Sequence, residues 1–581
     1  MDTMRHVPHE LLARLRRRAN GRRLSDAERA YVDRADDLFV YLRVNGLPEG
    51  RDILALAASH GRHRLQDLLA AVAAPTPAKS FRRRFERTAL LQLVTLLADQ
   101  PVDPSDTERA IALIQRLIER LGVRDVGKEA RFRLLELLVE SGRVGDLDAL
   151  IEALHIGRDD RAQPHLLRAN AANPFRSERD AGPWLAAVNG LLASEGLEPI
   201  AFTPGADEPF DRLSSAAASS DDDGPLVTVV IPTYDPGPRL ATAVGSVLAQ
   251  SHRRLQILIM DDASPGAAAT DLDAWAERDP RIEVVHLPEN GGPYLARNIA
   301  VSTYARGEYV TVHDDDDWSH PRRIERQVAH LEAHPDEVAN MSSAVRVSDD
   351  MWFGRINGNP VWAQHALNSL MVRRTVFAEI GYWDVLNRSA DAEFNDRIRA
   401  WTARRIPVVG AVPLIFYRVR WDSLSAGEFH RGYMDARRRW YFESYRHWHA
   451  DELARGRAPF LPVDDRGDRP FSAPADLLGP RGAVRRIEAD ARVVADFRDE
   501  GVAVDGIAAR LSSGQTVALL QLDSPRLARG ARMRADVLAL ALHPGARVVS
   551  LRDDVVAPTT IVTDREALRF HPQARERLGA L

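Results

Sequence analysis

The 581-residue chain contains no cysteine. Disulfide frameworks, thiolate-held zinc and cysteine nucleophiles are therefore excluded together. Lysine is nearly absent as well, with Lys79 and Lys128 the only two. Positive charge is thus carried by arginine, whose pKa hardly moves, and lysine-based general-base or Schiff-base chemistry has little support. A net charge of -5 supplies no basic field for nucleic acid. No apolar run approaches the length of a membrane span, and Met1 to Arg23 lacks the apolar core of a secretory signal. The expectation is a cytoplasmic protein, with peripheral contact at the inner membrane face left open. What remains is an ordinary globular balance, 45% hydrophobic and 28% charged, in a chain long enough for roughly two to four domains.

Residues 1–200 read as helical. Leu11, Leu12 and Leu15, then Leu65, Leu68 and Leu69, then Leu134, Leu135, Leu137 and Leu138 recur at helical spacing between charged positions. Punctuation at Pro75 to Pro77, Pro101 to Pro104 and Gly142 to Gly145 divides them into hairpins with no fixed repeat period. The clusters Arg16 to Arg18 and Arg82 to Arg84 read as solvated helix faces. A Ser- and Asp-rich linker over 201–223 ends in Asp221-Asp222-Asp223. Strands and helices then alternate from 224 to 455. A Pro-rich linker follows over 456–484, and 485–581 reads as a small α/β module. Its strands are expected around Arg492 to Phe497, Thr516 to Leu522, Arg547 to Leu551 and Thr559 to Val562. Asp523, at the end of one of them, reads as turn chemistry.

The polar residues of the central part collect at strand ends. Leu226 to Ile231, Leu255 to Met260 and Ile282 to Val285 are apolar runs, and Gly307 to Val312 leads straight into Asp314-Asp315-Asp316-Asp317. Alternating elements of this length form an open, largely parallel sheet that binds ligands at the carboxyl ends of its strands. Thr233-Tyr234-Asp235, Asp261-Asp262, Asn290-Gly291-Gly292 and the acidic run all fall there. Four adjacent carboxylates repel unless a cation sits among them, which points to a hard divalent metal with oxygen ligands. The Asp221 to Asp223 run has no strand before it and reads as linker.

Val227-Thr228-Val229-Val230-Ile231-Pro232-Thr233-Tyr234-Asp235 opens a series that resembles the family 2 glycosyltransferases. It continues through Ser246 to Ser251, Ile259 to Ser264, Asn290 to Pro293, Ala296-Arg297-Asn298, Gly307-Glu308-Tyr309 and Asp314 to Trp318, in family order over about 225–335 and more loosely to 455. The resemblance implies an α/β protein with a GT-A catalytic domain (Rossmann-like, mostly parallel), a helical N-terminal region and a small C-terminal α/β module. It implies inverting transfer of a sugar from a nucleotide-diphosphate sugar, a UDP-sugar being the expected donor, to a glycan or lipid-linked acceptor in surface-polysaccharide synthesis.

Residue by residue, the resemblance places nucleotide contacts at Pro232, Thr233, Tyr234 and Asp235, the last standing where the family usually has Asn. Asp261 and Asp262 accept from base or ribose, unless one of them caps the turn with Ser264. Asn290, Gly291 and Gly292 let backbone approach the nucleotide, or form a plain tight turn. Arg297 counters diphosphate charge or pairs with the acidic loop. Asp314 and Asp315 join the donor contacts. Asp314 and Asp316 match the two aspartates that hold Mn2+ or Mg2+ in the family's Asp-x-Asp motif. Asp391, after Gly381-Tyr382-Trp383-Asp384, aligns with the catalytic base, with Ala390 in place of the usual Glu and Glu393 as fallback.

Two further segments bear on the reading. Tyr417-Arg418-Val419-Arg420-Trp421 carries Arg420 where many relatives have a metal-binding histidine. Tyr433, Trp440, Tyr441, Phe442, Tyr445 and Trp448, interleaved with Arg437 to Arg439, read as a helix packed on the sheet with its arginines in solvent. The alternatives are a catalytically silent scaffold and, lacking a basic loop at Asp235 to Pro238, a nucleotidyltransferase.

Overall fold

In the computed structural model the described residues are 39, 42–43 and 50–578, apart from 178–179, 219–223, 356–358, 421–435, 468, 479–485, 525–526, 528–529, 566–567 and 569–570. Leu11, Leu12, Leu15, Arg16 to Arg18, Asp221 to Asp223, Trp421 and Tyr433 lie outside them. The leucine periodicity of the first part becomes a succession of helices from Gly50–Ala58 to Gly182–Ala193. Their apolar faces do not close on themselves. They share one core with Trp318, Val345, Val347, Phe353, Trp362 and Phe416 of the following sheet, and the Trp184 ring stacks on Phe353 at 5.5 Å. A buried ion cluster crosses the same seam. Arg355 reaches Glu136 and Asp99, and Arg133 bonds Glu136 at 2.8 Å. The stretch expected to be linker is itself packed, because Ala201–Phe202 pairs with Leu213–Ser214 and Phe210 is fully buried. The boundaries drawn at 200 and 224 therefore cross a continuous interior.

The central sheet is built from β1 (Val227–Thr233), α1 (Leu240–Leu248), β2 (Leu255–Asp261), β3 (Ile282–His286), α2 (Pro293–Ile299) and β4 (Tyr309–Val312). The chain continues through β5 (Trp318–Ser319), α3 (Arg323–Ala333), β6 (Ala339–Ser348), β7 (Met371–Arg373), α4 (Ala390–Thr402) and β8 (Ile415–Val419). The order across the sheet is β3-β2-β1-β4-β7-β6-β8-β5. The first four strands are parallel, as their unbroken apolar runs require when both faces are covered. β7 then enters antiparallel to both β4 and β6. The parallel half is thus followed by a mixed half that the alternating pattern did not disclose. Among the described residues no helix is long and apolar enough to cross a membrane.

Helix α5 (Ala436–Ala454) joins this sheet to a second one. β9 (Ala491–Ala495), β10 (Val517–Gln521), β11 (Ala546–Val549) and β12 (Thr559–Val562) form an all-parallel sheet in the order β11-β10-β9-β12. Trp440 of α5 enters its core beside Phe497, while Tyr441, Tyr445 and Trp448 pack with Leu386, Leu461 and Phe471. The arginines of α5 do not all face solvent as expected. Arg437 is buried against Asp476, and Arg439 pairs with Asp523 at 2.6 Å. The buried rings of Trp440, Tyr441, Tyr445 and Trp448 are thus taken up by packing between two units, and Phe442 is the partly exposed one among the described residues.

Candidate active site at the carboxyl edge of the sheet

Strand register decides which polar residues meet. Val230 of β1 sits opposite Val312 of β4, so the residues three further on in each strand, Thr233 and Asp315, come together past the strand ends. Thr233 Oγ1 donates to Asp315 Oδ2 at 2.5 Å. Pro232 is buried, whereas Tyr234 and Asp235 are exposed. Asp235 takes a left-handed φ of +46°, a region Asp and Asn tolerate better than most residues, and its N–H donates to Ser264 Oγ at 2.9 Å.

Asp261 and Asp262 turn out to serve the loops. Asp261 accepts from Ser264 N–H at 2.9 Å and contacts His286 Nδ1 at 2.6 Å. Burial alone would push its carboxyl up, but Ser264 and His286 hold it below the usual range. Asp262 accepts from the N–H groups of Gly291 and Gly292, each at 2.8 Å. Burial still raises its pKa against those two bonds. A Cβ at 291 would lie 2.4 Å from Leu295 Cδ2, so a larger residue there needs the Leu295 side chain to move. Asn290 is exposed beside this turn. Both carboxylates thus fasten the rim, and the side chains presented outward are those of Tyr234, Asp235 and Asn290.

The acidic loop is held unevenly. Asp314 Oδ1 accepts from Arg297 at 2.9 Å and its Oδ2 from Asn368 at 2.8 Å. Asn368 also donates to Asp317 at 2.8 Å, and Arg418 N–H closes the other Asp317 oxygen at 2.9 Å. Among the described residues Asp316 has the Arg420 guanidinium as its ion-pair partner, at 3.7 Å, with Arg418 acting on it from further away. Burial, opposed by the Thr233 bond and reinforced by Asp314, pushes Asp315 up to about 6. Burial and repulsion from Asp315 and Asp314 push Asp316 up to about 7, and burial and Asp316 push Asp317 well above its ordinary value. Among the described residues the neighbouring arginines do not offset the burial and crowding of these carboxyls. Among the described residues no three of these acids converge closely enough to cage an ion. Excess charge on hard oxygens without a preformed cage suits Mg2+ or Mn2+, which take one or two carboxylates and complete their shell with phosphate and water. The donor set fits a divalent ion at Asp316, with Asp314 joining if Arg297 releases one of its oxygens. His313 is buried and contacts Ser246 Oγ at 3.1 Å, away from the acids.

Asp391 stands in the first turn of α4, where a carboxylate faces the positive helix end. Its Oδ1 accepts from Tyr294 Oη at 3.1 Å and from Ala392 N–H at 2.9 Å. Burial and the neighbouring Asp391 raise the Tyr294 pKa, so the phenol stays protonated and donates. The Arg297 guanidinium lies over the Tyr294 ring, 4.9 Å from its centre. Asp391, Tyr294, Arg297 and Asp314 therefore form one connected line from the helix start to the acidic loop. The fallback base, Glu393, is removed from contention. It is fully buried, paired with Arg397 through both oxygens and contacted by His449 Nε2 at 2.8 Å. Ala390 is also fully buried, in the core beside Phe394. Two residues set the segment before α4. Asn298 grips the Trp383 backbone at both N–H and carbonyl. Gly381 lets Leu461 O approach to where a Cβ would sit 1.8 Å away.

Tyr294, Asn298 and Asn368 are parts of this site that the strand-end pattern did not single out. Tyr294 was within reach, since it precedes Arg297 by three residues on one helix face. Asn368 comes from a turn far along the chain and left no local signal.

Residues 228–393 match glycosyl transferase family 2. Glycosyltransferase GlyG of Streptococcus pneumoniae is 36% identical over 92 residues, 16% of this chain and 30% of that protein. The putative teichuronic acid biosynthesis glycosyltransferase TuaG of Bacillus subtilis is 38% identical over 104 residues, 18% of this chain and 41% of that protein. The chain thus spans less than half the length of these relatives. Among solved structures, the mannosyltransferase PcManGT of Pyrobaculum calidifontis, in complex with GDP-Man and Mn2+, aligns at a TM-score of 0.31 with 19% identity. That alignment covers 42% of this chain and 68% of that one.

Proposed function

We propose that this chain, whose residues 228–393 belong to glycosyl transferase family 2, transfers a sugar with inversion from a nucleotide-diphosphate sugar to an acceptor hydroxyl. The observation that carries the proposal is the crowding of Asp314 to Asp317, which raises the pKa of Asp315, Asp316 and Asp317, joined through Asp314, Arg297 and Tyr294 to a carboxylate at a helix start. In this reading Tyr234, Asp235 and Asn290 line the nucleotide end. A divalent ion at Asp316 and Asp314 would neutralise charge on the departing diphosphate. Arg420, beside Asp316, holds phosphate oxygens with N–H donors where a histidine would have bound the ion.

Asp391 takes the acceptor proton at Oδ2, the oxygen Tyr294 leaves available, while the acceptor oxygen attacks the anomeric carbon and the nucleotide leaves with the bonding pair. One displacement inverts the centre. Arg297 then has two roles in sequence, holding Asp314 in the free enzyme and countering diphosphate once the donor is seated. A UDP-sugar as donor and a glycan or lipid-linked acceptor of surface-polysaccharide synthesis are the proposed partners, in keeping with the teichuronic acid role named for TuaG. A cytoplasmic location, with peripheral contact at the inner membrane face, completes the reading.

Thermal unfolding with a panel of nucleotides and nucleotide-sugars, with and without Mn2+, tests it. A ligand that binds only the folded state stabilises by about 2.7 kcal/mol at about a hundredfold excess over Kd. One nucleotide is expected to raise the Tm of the wild type in the presence of Mn2+, and to lose that effect in Asp316→Asn. A folded protein shifted by none of them overturns the transferase and leaves a silent scaffold.

A further inference from the structure

Helix α3 ends in His330 and His334, one turn apart, and the chain then doubles back through Pro335 to Glu337 before β6 begins. The two imidazole rings stack 4.4 Å apart at 26°. His330 Nδ1 faces the Glu337 carboxylate at 3.4 Å, and one ligand atom from each of the three side chains lies within 4.8 Å of the others. Glu337 Oε2 is buried with no hydrogen-bond partner. Asn340 Nδ2 approaches His330 Nδ1 at 3.5 Å, as a donor to a lone pair. His330 Nδ1 and Glu337 Oε2 thus face each other across a gap that a proton or a cation fills. His334 Nδ1 is engaged by the His330 carbonyl at 2.7 Å, which assigns the proton to Nδ1 and leaves the Nε2 lone pair for a ligand. The turn itself is pinned, with Glu337 O accepting from Arg373 Nε at 2.9 Å and Asp336 O from Arg404.

We propose that His330, His334 and Glu337 form a transition-metal site of the Zn2+ class, separate from the acidic loop. Two imidazoles and one carboxylate are a borderline donor set that favours Zn2+, Co2+ or Ni2+ and leaves a fourth position to water. The all-oxygen acidic loop favours Mg2+ or Mn2+ instead. The two sites lie at opposite ends of the sheet. Ala339 pairs with Val372, which pairs with Val310, so Glu337 lies before the amino ends of the strands, whereas Asp314 to Asp317 follow their carboxyl ends. A metal at the first position would tie the end of α3 to the start of β6, and its role is structural.

Untagged full-length protein titrated with Co2+ should develop the visible absorption of a four-coordinate site, displaced by one equivalent of Zn2+, with Zn2+ raising the Tm. His334→Ala, at an exposed position, is expected to weaken Zn2+ binding at least about tenfold, beyond any change in the metal-free Tm from losing its bond to the His330 carbonyl. Glu337→Gln should weaken it as well, and Asp316→Asn should leave it intact. Equal binding by wild type and His334→Ala, loss of binding in Asp316→Asn, or no Co2+ spectrum would each overturn the proposal. The last result would leave a proton shared by His330 and Glu337 as the positive charge between them.

Discussion

Asp316, beyond the end of β4, and Asp523, beyond the end of β10, stand at the same place in two parallel sheets of one chain, and their surroundings differ. Asp523 is fully buried, yet its carboxyl lies below the usual range, because Arg439 and Arg498 outweigh the cost of burial. Asp496, at the end of β9, is answered in the same way, by Arg498 at 2.8 Å, Gln521 at 2.9 Å and Ser524 N–H at 2.7 Å. Asp496 and Asp523 thus each have partners supplied by the fold, one of them from α5. At the central sheet the same geometry is left short of cations, and the pKa values of Asp315 to Asp317 rise. A carboxyl edge rich in acids is therefore no sign of a site by itself. The sign is charge that the protein declines to balance.

If that contrast is right, removing charge from the two edges should have opposite costs. Asp391→Asn keeps an oxygen for Tyr294 and removes only the proton acceptor, so kcat with the donor found by melting should fall by about a hundredfold to ten-thousandfold. Its Tm should stay near that of the wild type. A variant that keeps its turnover would move the base elsewhere and detach α4 from the chemistry. At the other edge, Arg439→Met leaves Asp523 buried with Arg498 at 3.7 Å as its remaining cation. Breaking a buried pair on one side should cost about 3 kcal/mol in urea unfolding, with nucleotide binding unaffected. The double variant Arg439→Met, Asp523→Asn should recover most of the loss. An unchanged stability would mean that the second edge is as unbalanced as the first, and the contrast would fail.

How much of this could be read beforehand follows from the same contrast. The four parallel strands, the acidic run after the fourth and the helix that begins around Asp391 were legible because each is local. An apolar run, a strand end and a helix start are written in neighbouring residues. The four strands of the last module's larger sheet were placed to within a residue or two for the same reason, while the short pair Arg486–Glu488 and Asp554–Val556 was missed. The balance of charge was not legible. Whether Asp316 or Asp523 finds an arginine depends on partners such as Arg420 and Arg439, about a hundred residues away, and on α5 crossing between two cores. Asp261 and Asp262 show the opposite failure. Their positions were foreseen, but their hydrogen bonds to His286, Gly291 and Gly292 were decided by a turn about 30 residues on. The seam between the helical region and the sheet was invisible too, since leucine spacing says which face is apolar and not what covers it.

A third group of acids, away from both edges, has a carboxyl raised as far as Asp316 and so tests the comparison. Asp384 and Asp465 are both buried, and one guanidinium serves them, Arg469 at 2.6 Å from Asp384 and 3.5 Å from Asp465. Tyr441 adds a hydroxyl to Asp384 at 2.8 Å. With one cation for two carboxylates, burial and then Asp384 push Asp465 up to about 7. A carboxyl whose folded pKa lies above its unfolded value takes up a proton on folding. Its contribution is therefore fully present below about pH 4 and is lost as the pH rises through about 7. Asp465→Asn keeps an oxygen for Val385 N–H and removes the charge, so its stability should change less with pH than that of the wild type. The gap between the two should open by about 2 kcal/mol from pH 5 to pH 8. Urea unfolding at a series of pH values measures it. Parallel curves for the two proteins would mean that Arg469 balances both acids, and that the number of arginines does not grade the pKa of a buried edge.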